Sequence, residues 1–141
     1  MVKILFSLFV FLAVSITNIS FAQSYPSKPI RLVVPFPPGG PNDLLARLIG
    51  QKLQERIGQL VIIDNKPGAS TIIGVDAVVK SPADGYTLLL GSNSLALNRF
   101  LILKLPYDID RDIVPVILLT KISNALVVHP SLPVKDLKDF I

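Results

Sequence analysis

The amino-acid sequence predicts an α/β domain in which a parallel sheet carries helices on both faces. Apolar runs of strand length alternate with segments whose apolar residues recur at helical spacing. The connections between them are short and rich in Gly, Pro, Ser and Asn. Strands that alternate with helices across short connections form parallel sheets, so this repeated order predicts the fold class.

The first unit combines a strand with a long helix. Residues 30–36 (IRLVVPF) form a nearly continuous apolar run, which is typical of a strand buried on both faces. Apolar residues then fall at helical spacing between residues 44 and 57, and Gly58 stands where such a helix ends. Asn42 or Gly40 is expected to cap the start of this helix.

The second unit repeats this order. Residues 60–64 (LVIID) predict another buried strand, and a loop then leads into a helix over residues 72–80. Ser70 or Thr71 is expected to cap that helix, because a short hydroxyl side chain can accept a bond from a free N–H of the first turn.

A third unit follows a turn at residues 81–85, which contain Pro and Asp-Gly. Residues 86–90 (YTLLL) predict a third strand, residues 91–94 form a small polar loop, and residues 95–103 predict a helix or an irregular segment. The first three units therefore give three parallel strands.

The remainder of the chain departs from this order. Residues 113–120 and 125–129 are apolar runs without a helix between them, so they are expected to be neighbouring strands. Residues 133–141 predict the beginning of a helix, which continues for about one turn and cannot be stable alone. We therefore expect a second part of the fold that is only begun.

The N-terminal segment has the pattern of a cleavable signal peptide. Lys3 is followed by an uncharged apolar stretch over residues 4–16, and Ser20 and Ala22 are small residues at the positions that a signal peptidase recognises. A membrane anchor is the alternative, but the polar second half of this segment argues against a stable one. We expect a signal peptide at residues 1–22, a mature domain at residues 23–141, and a periplasmic location.

Composition excludes two classes of protein. The sequence has no cysteine, so disulfides are excluded, and a cysteine-free exported protein suits a bacterial periplasm. The net charge is +4, but Lys and Arg are scattered rather than clustered and are not interleaved with aromatic residues. Nucleic-acid binding is therefore not expected.

Three loops of small residues follow the predicted strands, at the sheet edge where α/β proteins bind ligands. Between residues 36 and 43, two glycines allow close approach to the backbone. The helix start then offers unpaired N–H groups and the positive end of the helix dipole. These features predict a pocket for a small anion, although each loop could also be a rigid turn or a helix cap. The candidate ligand-binding residues are Phe36, Gly39, Gly40, Asn42, Asp43, Ala69, Ser70, Ser92 and Asn93.

The sequence does not indicate catalytic residues, a metal site or a cofactor. His129 is the single histidine and has no Cys, Asp or second His at ligand spacing, so we expect a structural or solvent-facing role. Asp108, Asp110 and Asp112 alternate as in a calcium loop, but the required glycine and terminal glutamate are missing, which favours turn capping. There is no nucleotide-binding glycine motif and no nucleophile–base pair.

Six segments in succession resemble the periplasmic solute receptors of tripartite tricarboxylate transporters, also called the Bug family. They are YPSKPIRLVVPFPPGGPND, ARLIGQKLQERIGQ, VIIDNKPGAS, PADGYTLLLGS, KLPYDIDRDIVPV and LVVHPSLPVKDLKDFI. The resemblance implies a type II periplasmic-binding-protein fold with two α/β lobes around a cleft, of which this chain has most of the first lobe and the entry into the second. It also implies a small carboxylate ligand, membrane transporter subunits as partners, and no covalent chemistry.

The chain departs from the family pattern in its second loop. Family members usually have a further Gly-Gly near Ser70 and Thr71, and often Asn at the position of Ile72, so this loop is expected either to differ in ligand choice or to be impaired in ligand binding. Family members are also much longer than this chain.

The leading hypothesis is an extracytoplasmic receptor for a small carboxylate. Two alternatives stay open at this point: a truncated remnant of such a receptor, non-functional or regulatory, and an α/β enzyme that uses the first loop to hold an anion or a nucleotide.

Overall fold

The computed structural model describes residues 25–123 and 125–141. The predicted signal peptide at residues 1–22 lies outside the described residues. Within the described part of the chain, no helix is both long and apolar enough to cross a membrane.

Strands and helices alternate through the first two thirds of the chain, as predicted. In the last third, the described residues contain two short helices, and the segments where strands were expected have no regular structure. In chain order the elements are β1 (Ile30–Val34), α1 (Pro41–Ile57), β2 (Val61–Asn65), a 3-10 turn (Ala69–Thr71), α2 (Ile72–Val79), β3 (Thr87–Leu89), α3 (Asn93–Leu101), α4 (Ile109–Asp112) and α5 (Leu137–Phe140).

The three strands form one parallel sheet in the order β2-β1-β3, which confirms the predicted fold class. In register, Leu32 at the centre of β1 lies opposite Ile63 of β2 and Leu88 of β3. The central position of β1 explains its continuous apolar run, because a strand with neighbours on both sides and helices on both faces has no exposed side.

Side chains of β1 divide between two packed layers. Leu32 and Val34 join Ala46 of α1 in one buried cluster. Val33 points to the opposite face, because successive strand residues alternate, and it is completely buried. Helix α2 contacts β1 and β3 and buries Val75. The two long connections therefore cover opposite faces, as right-handed crossovers require.

Glycines mark both ends of α1. Gly40 is the N-cap residue, with extended backbone and no side-chain cap, and Pro41 is the first helical residue. Gly58 ends the helix with a left-handed φ of +68°. Of the two predicted caps, Gly40 was the correct one, while Asn42 lies inside the first turn.

The strands expected at residues 113–120 and 125–129 are absent, so that prediction was wrong. Residues 113–123 and 125–130 contain no regular strand, and their apolar side chains are exposed, with Val116 at 83% and Val127 at 84%. A strand needs a neighbour for its N–H and C=O groups, and no described strand lies beside these residues. An apolar run alone is therefore not sufficient to predict a strand.

Asp side chains cap the two short helices of this last third. Asp108 accepts bonds from the N–H groups of Asp110 and Arg111 at the start of α4. Asp136 does the same at the start of α5, where only the beginning of a helix was predicted.

Candidate functional site

Three loops lie at the carboxyl edge of the sheet. Loop 1 (residues 35–40) follows β1, loop 2 (residues 66–71) follows β2, and loop 3 (residues 90–92) follows β3. Because all three strands are parallel, their carboxyl ends meet at this one edge. The predicted ligand-binding residues therefore share one edge of the sheet.

Loop 1 depends on one of its two glycines for its shape. Gly39 has a φ of +83°, which side chains rarely adopt, whereas Gly40 has an ordinary φ of −80°. A Cβ on Gly40 would meet only the Pro37 carbonyl, at 3.6 Å. Phe36 is half-buried and packs against the core, so it anchors the loop from below. Gly40 thus leaves open space above the loop rather than satisfying a backbone requirement.

Asp43 fixes the shape of loop 1 from inside the protein. The residue is 1% exposed, and its carboxylate accepts bonds from the Gly39 N–H at 2.8 Å, from Arg47 Nε at 2.8 Å and from Asn65 Nδ2 at 3.0 Å. The Arg47 guanidinium, then the Gly39 N–H and the Asn65 amide, lower the pKa of Asp43 to about 2. Since this carboxylate is buried and occupied, the Asp43 side chain is not available to bind a ligand.

The start of α1 offers the donors that an anion needs. The first i→i−4 bond of the helix runs from the Leu44 N–H to the Gly40 carbonyl, at 3.0 Å. The N–H groups of Asn42 and Asp43 precede it and have no carbonyl partner within the helix, and Pro41 has no N–H. These two donors lie at the positive end of a helix of 17 residues.

Loop 2 has an unusual backbone. Ala69, Ser70 and Thr71 have φ angles of +46°, +52° and +78°, although none is glycine. Ala69 and Ser70 are exposed, while Thr71 is buried. Thr71 occupies the N-cap position of α2 without a side-chain cap bond, so its predicted position is confirmed and its predicted capping bond was wrong.

The Ser92 side chain of loop 3 forms hydrogen bonds within the protein. The Ser92 hydroxyl accepts a bond from the Ser94 N–H at 3.2 Å and lies 2.7 Å from Ser94 Oγ, which makes it the cap of α3. Asn93 is the first residue of that helix and is exposed. Ser92 therefore has a structural role, and the ligand contact predicted for both residues stays a prediction.

Sequence reasoning missed two asparagines that join the loops. Asn65 donates to the Phe36 carbonyl at 3.2 Å as well as to Asp43, linking loop 1 to the end of β2. Asn98 of α3 donates to the Ser70 carbonyl at 2.7 Å. The sequence does show a polar residue at each of these positions, which the apolar periodicity assigns to a buried face. It does not show which residues the two asparagines bind, because their partners lie far away in sequence.

Two buried polar side-chain atoms lack hydrogen-bond partners among the described residues. They are the hydroxyl of Tyr107, a residue that is 7% exposed, and Oδ1 of Asp76. Burial raises the pKa of Tyr107, Asn98 partly offsets this effect, and the charge of Asp76 adds to it.

The candidate metal ligands of the sequence have local roles. His129 is exposed, with Nδ1 at 2.7 Å from Ser131 Oγ, which confirms its solvent-facing position. Asp108 caps α4, which confirms capping by this acidic segment. Within residues 25–123 and 125–141, no three His, Cys, Asp or Glu side chains come together as a metal site would require.

Comparison with known proteins gives one consistent family. A family model described as the tripartite tricarboxylate transporter family receptor matches residues 45–141. Protein BugT of Bordetella pertussis (strain Tohama I) is 44% identical over 122 residues, covering 85% of this chain and 37% of BugT. A protein from the tcbD-tcbE intergenic region of Pseudomonas sp. (strain P51) is 43% identical over 127 residues, covering 90% of this chain and 38% of the relative.

Solved structures agree with this result. The R. palustris protein Rpa4515 with adipate is 42% identical with a TM-score of 0.70, over 82% of this chain and 39% of that chain. MatC (Rpa3494) from Rhodopseudomonas palustris with bound malate is 35% identical with a TM-score of 0.59, over 62% of this chain and 30% of that chain. The chain thus spans less than two fifths of the length of the relatives that it matches.

Proposed function

The chain belongs to the tripartite tricarboxylate transporter receptor family, and we propose that it binds a small dicarboxylate as part of an extracytoplasmic solute receptor. The observation that carries this proposal is the geometry of loop 1. Two N–H groups at the start of α1, which have no partner in the described part of the chain, lie beside a glycine with open space above it. Relatives in this family are receptors rather than enzymes, and structural neighbours hold adipate and malate.

Loop 1 is the proposed site for one carboxylate group. The N–H groups of Asn42 and Asp43 would donate to its oxygens, directly or through water, and the helix dipole favours its negative charge. Gly39 and Gly40 allow the group to approach the backbone. The four prolines at positions 35, 37, 38 and 41 limit the freedom of the unbound loop, so little conformational entropy is lost on binding.

Loops 2 and 3 are the proposed sites for the other end of the ligand. Ala69 and Ser70 are exposed at the same sheet edge, and the Ser70 hydroxyl can donate to a second carboxylate. Asn93 offers an exposed amide, and the Ser92 backbone lies beside it. A ligand with a charge at each end would bridge these loops, which favours a dicarboxylate over a monocarboxylate.

Membrane transporter subunits of a tripartite system are the proposed partners that receive the ligand. The proposal includes export, with residues 1–22 as a cleavable signal peptide and residues 23–141 as the part of the periplasmic-binding domain present in this chain. The charge pattern, the apolar stretch and the small residues at Ser20 and Ala22 support it. N-terminal sequencing of the periplasmic fraction should begin at Gln23, and retention of Met1 in the inner-membrane fraction would contradict export.

Isothermal titration of the purified chain with adipate and malate tests the binding proposal. The loops form an open edge, so the ligand stays partly hydrated and a dissociation constant on the order of 1 mM is expected. Hexanoate is the matched control, because it has the length of adipate and lacks one carboxylate. Equal affinity for hexanoate and adipate would contradict the proposal, and preferential binding of ATP would favour an enzyme that uses loop 1 for phosphate.

A further inference from the structure

Ala69, Ser70 and Thr71 follow one another with left-handed backbone torsions, at φ angles of +46°, +52° and +78°. A Cβ atom disfavours this region, and residues other than glycine normally visit it singly. Three in succession are conformationally costly, so contacts outside the loop must hold them in place.

A buried side chain from α3 makes such a contact. Asn98 is 4% exposed, and its Nδ2 donates to the Ser70 carbonyl at 2.7 Å and lies 3.5 Å from Thr71 Oγ1. A carbonyl can only accept, so the amide nitrogen rather than the amide oxygen faces the loop. Thr71 is 7% exposed, so water has little access to replace these bonds.

The bond to Ser70 opposes one specific backbone movement. A return of both Ser70 and Thr71 to negative φ reorients the peptide plane between them, because this plane rotates with ψ of Ser70 and φ of Thr71. That reorientation takes the Ser70 carbonyl away from the Asn98 amide and breaks the 2.7 Å bond. Asn98 therefore favours the left-handed loop over a loop with negative φ at both residues.

We infer that Asn98 is a positioning residue that holds loop 2 in its left-handed conformation and thereby sets which backbone groups of Ala69 and Ser70 face the ligand edge. The second half of this inference rests on the proposed function, because it assumes that loop 2 contacts the dicarboxylate. The first half concerns the backbone alone. Helix α3, which follows loop 3, thus determines the shape of loop 2.

Nuclear magnetic resonance on the isotopically labelled full chain tests the first half without any ligand. One-bond Cα–Hα couplings and backbone shifts report the sign of φ at Ser70 and Thr71. In Asn98→Asp, which keeps the shape of the side chain and replaces the donor by an acceptor, the Thr71 coupling should change to that of a negative φ. Leu97→Ala is the control, because Leu97 is the preceding residue of α3 and is 49% exposed.

Titration with adipate tests the second half. Asn98→Asp and Asn98→Ala should each weaken adipate binding by about tenfold or more, which is about 1.4 kcal/mol. In a Ser70→Gly/Thr71→Gly background, glycine tolerates positive φ without outside support, so Asn98→Ala should weaken binding by less than about threefold. A purely structural role for Asn98 would give the same loss in both backgrounds.

The outcomes separate this inference from the proposed function. A positive φ at Thr71 in both Asn98 variants would overturn the inference, whatever the affinity. A changed φ with unchanged adipate affinity would overturn the ligand half. If the unmodified chain binds neither adipate nor malate, the proposed function fails, and the couplings still decide whether Asn98 holds the loop. Resonances of β1–β3 in each variant verify that the sheet has folded.

Discussion

Asn65 donates a hydrogen bond of 3.0 Å to the buried carboxylate of Asp43, which connects the end of β2 to the first turn of α1. The same Asn65 amide donates to the Phe36 carbonyl at 3.2 Å. Asp43 also accepts from Gly39, so one carboxylate and one amide fix the shape of loop 1 and its position beside loop 2. The N–H groups of Asn42 and Asp43, which are proposed to donate to a ligand carboxylate, are thereby held in place before a ligand arrives.

The stability of the protein should fall in acid partly because of Asp43. Its pKa is lowered from 3.8 to about 2 in the folded state, so its contribution is fully present above the unfolded value and is lost as the pH falls through the folded value. Urea unfolding at several pH values between about pH 5 and pH 2 measures this decline. Asp112 has a similarly lowered pKa, so part of the decline remains when Asp43 is removed.

The variant Asp43→Asn isolates the contribution of this carboxylate. It should lower the melting temperature at neutral pH by several degrees and flatten the acid dependence, because Arg47 and the Gly39 N–H lose a charged acceptor. Glu55→Gln is the control, since Glu55 forms an exposed pair with Lys52 at 2.7 Å and such pairs contribute little. An unchanged acid slope in Asp43→Asn would contradict the assignment.

Gly74 should tolerate no side chain, because α2 approaches the loops closely at this point. A Cβ there would lie 2.7 Å from Pro35 Cβ and 2.8 Å from the Lys66 carbonyl, which belong to loops 1 and 2. Gly74→Ala should therefore destabilise the protein by about 2 kcal/mol or more, measured by urea unfolding. Gly40→Ala is the matched control with free space, and it should change stability by less than about 0.5 kcal/mol. Equal effects of the two alanines would contradict this packing argument.

The strands of the sheet could be predicted from the sequence because the patterns that indicate them involve only neighbouring residues. The apolar run of β1 and the left-handed Gly58 after α1 can be recognised within a few residues. The runs at residues 113–120 and 125–129 were mistaken for strands because pairing depends on a distant neighbour, which apolar character does not report. The left-handed turn at residues 69–71 gave no glycine signal, and the partners of Asn65 and Asn98 lie 22 to 29 residues away in sequence.

The hydroxyl of Tyr107 should contribute nothing to stability, because it is buried without a hydrogen-bond partner among the described residues. Tyr107→Phe should leave the free energy of unfolding unchanged or raise it by up to about 1 kcal/mol, since a buried polar group without a partner is costly. Tyr86→Phe is the matched comparison: its hydroxyl accepts from the Ser27 N–H at 2.9 Å, so the protein should lose about 1 kcal/mol. Chemical denaturation of both variants measures the difference. A larger loss for Tyr107→Phe would indicate that its hydroxyl has a partner, such as a buried water molecule.

Gly40→Val should separate ligand binding from folding. The backbone of Gly40 is extended, at φ −80° and ψ 171°, which suits a β-branched residue, and a Cβ there has only the Pro37 carbonyl within 4 Å. The fold should therefore persist with an unchanged melting temperature. The added methyl groups would occupy the space through which a carboxylate reaches the N–H groups of Asn42 and Asp43, so adipate binding should weaken by about tenfold or more. Asn42→Ala keeps those N–H groups and should cost only about 1 kcal/mol, the value of one hydrogen bond. Titration calorimetry on both variants measures the contrast, and an unchanged affinity in Gly40→Val would show that the ligand does not approach the backbone of loop 1.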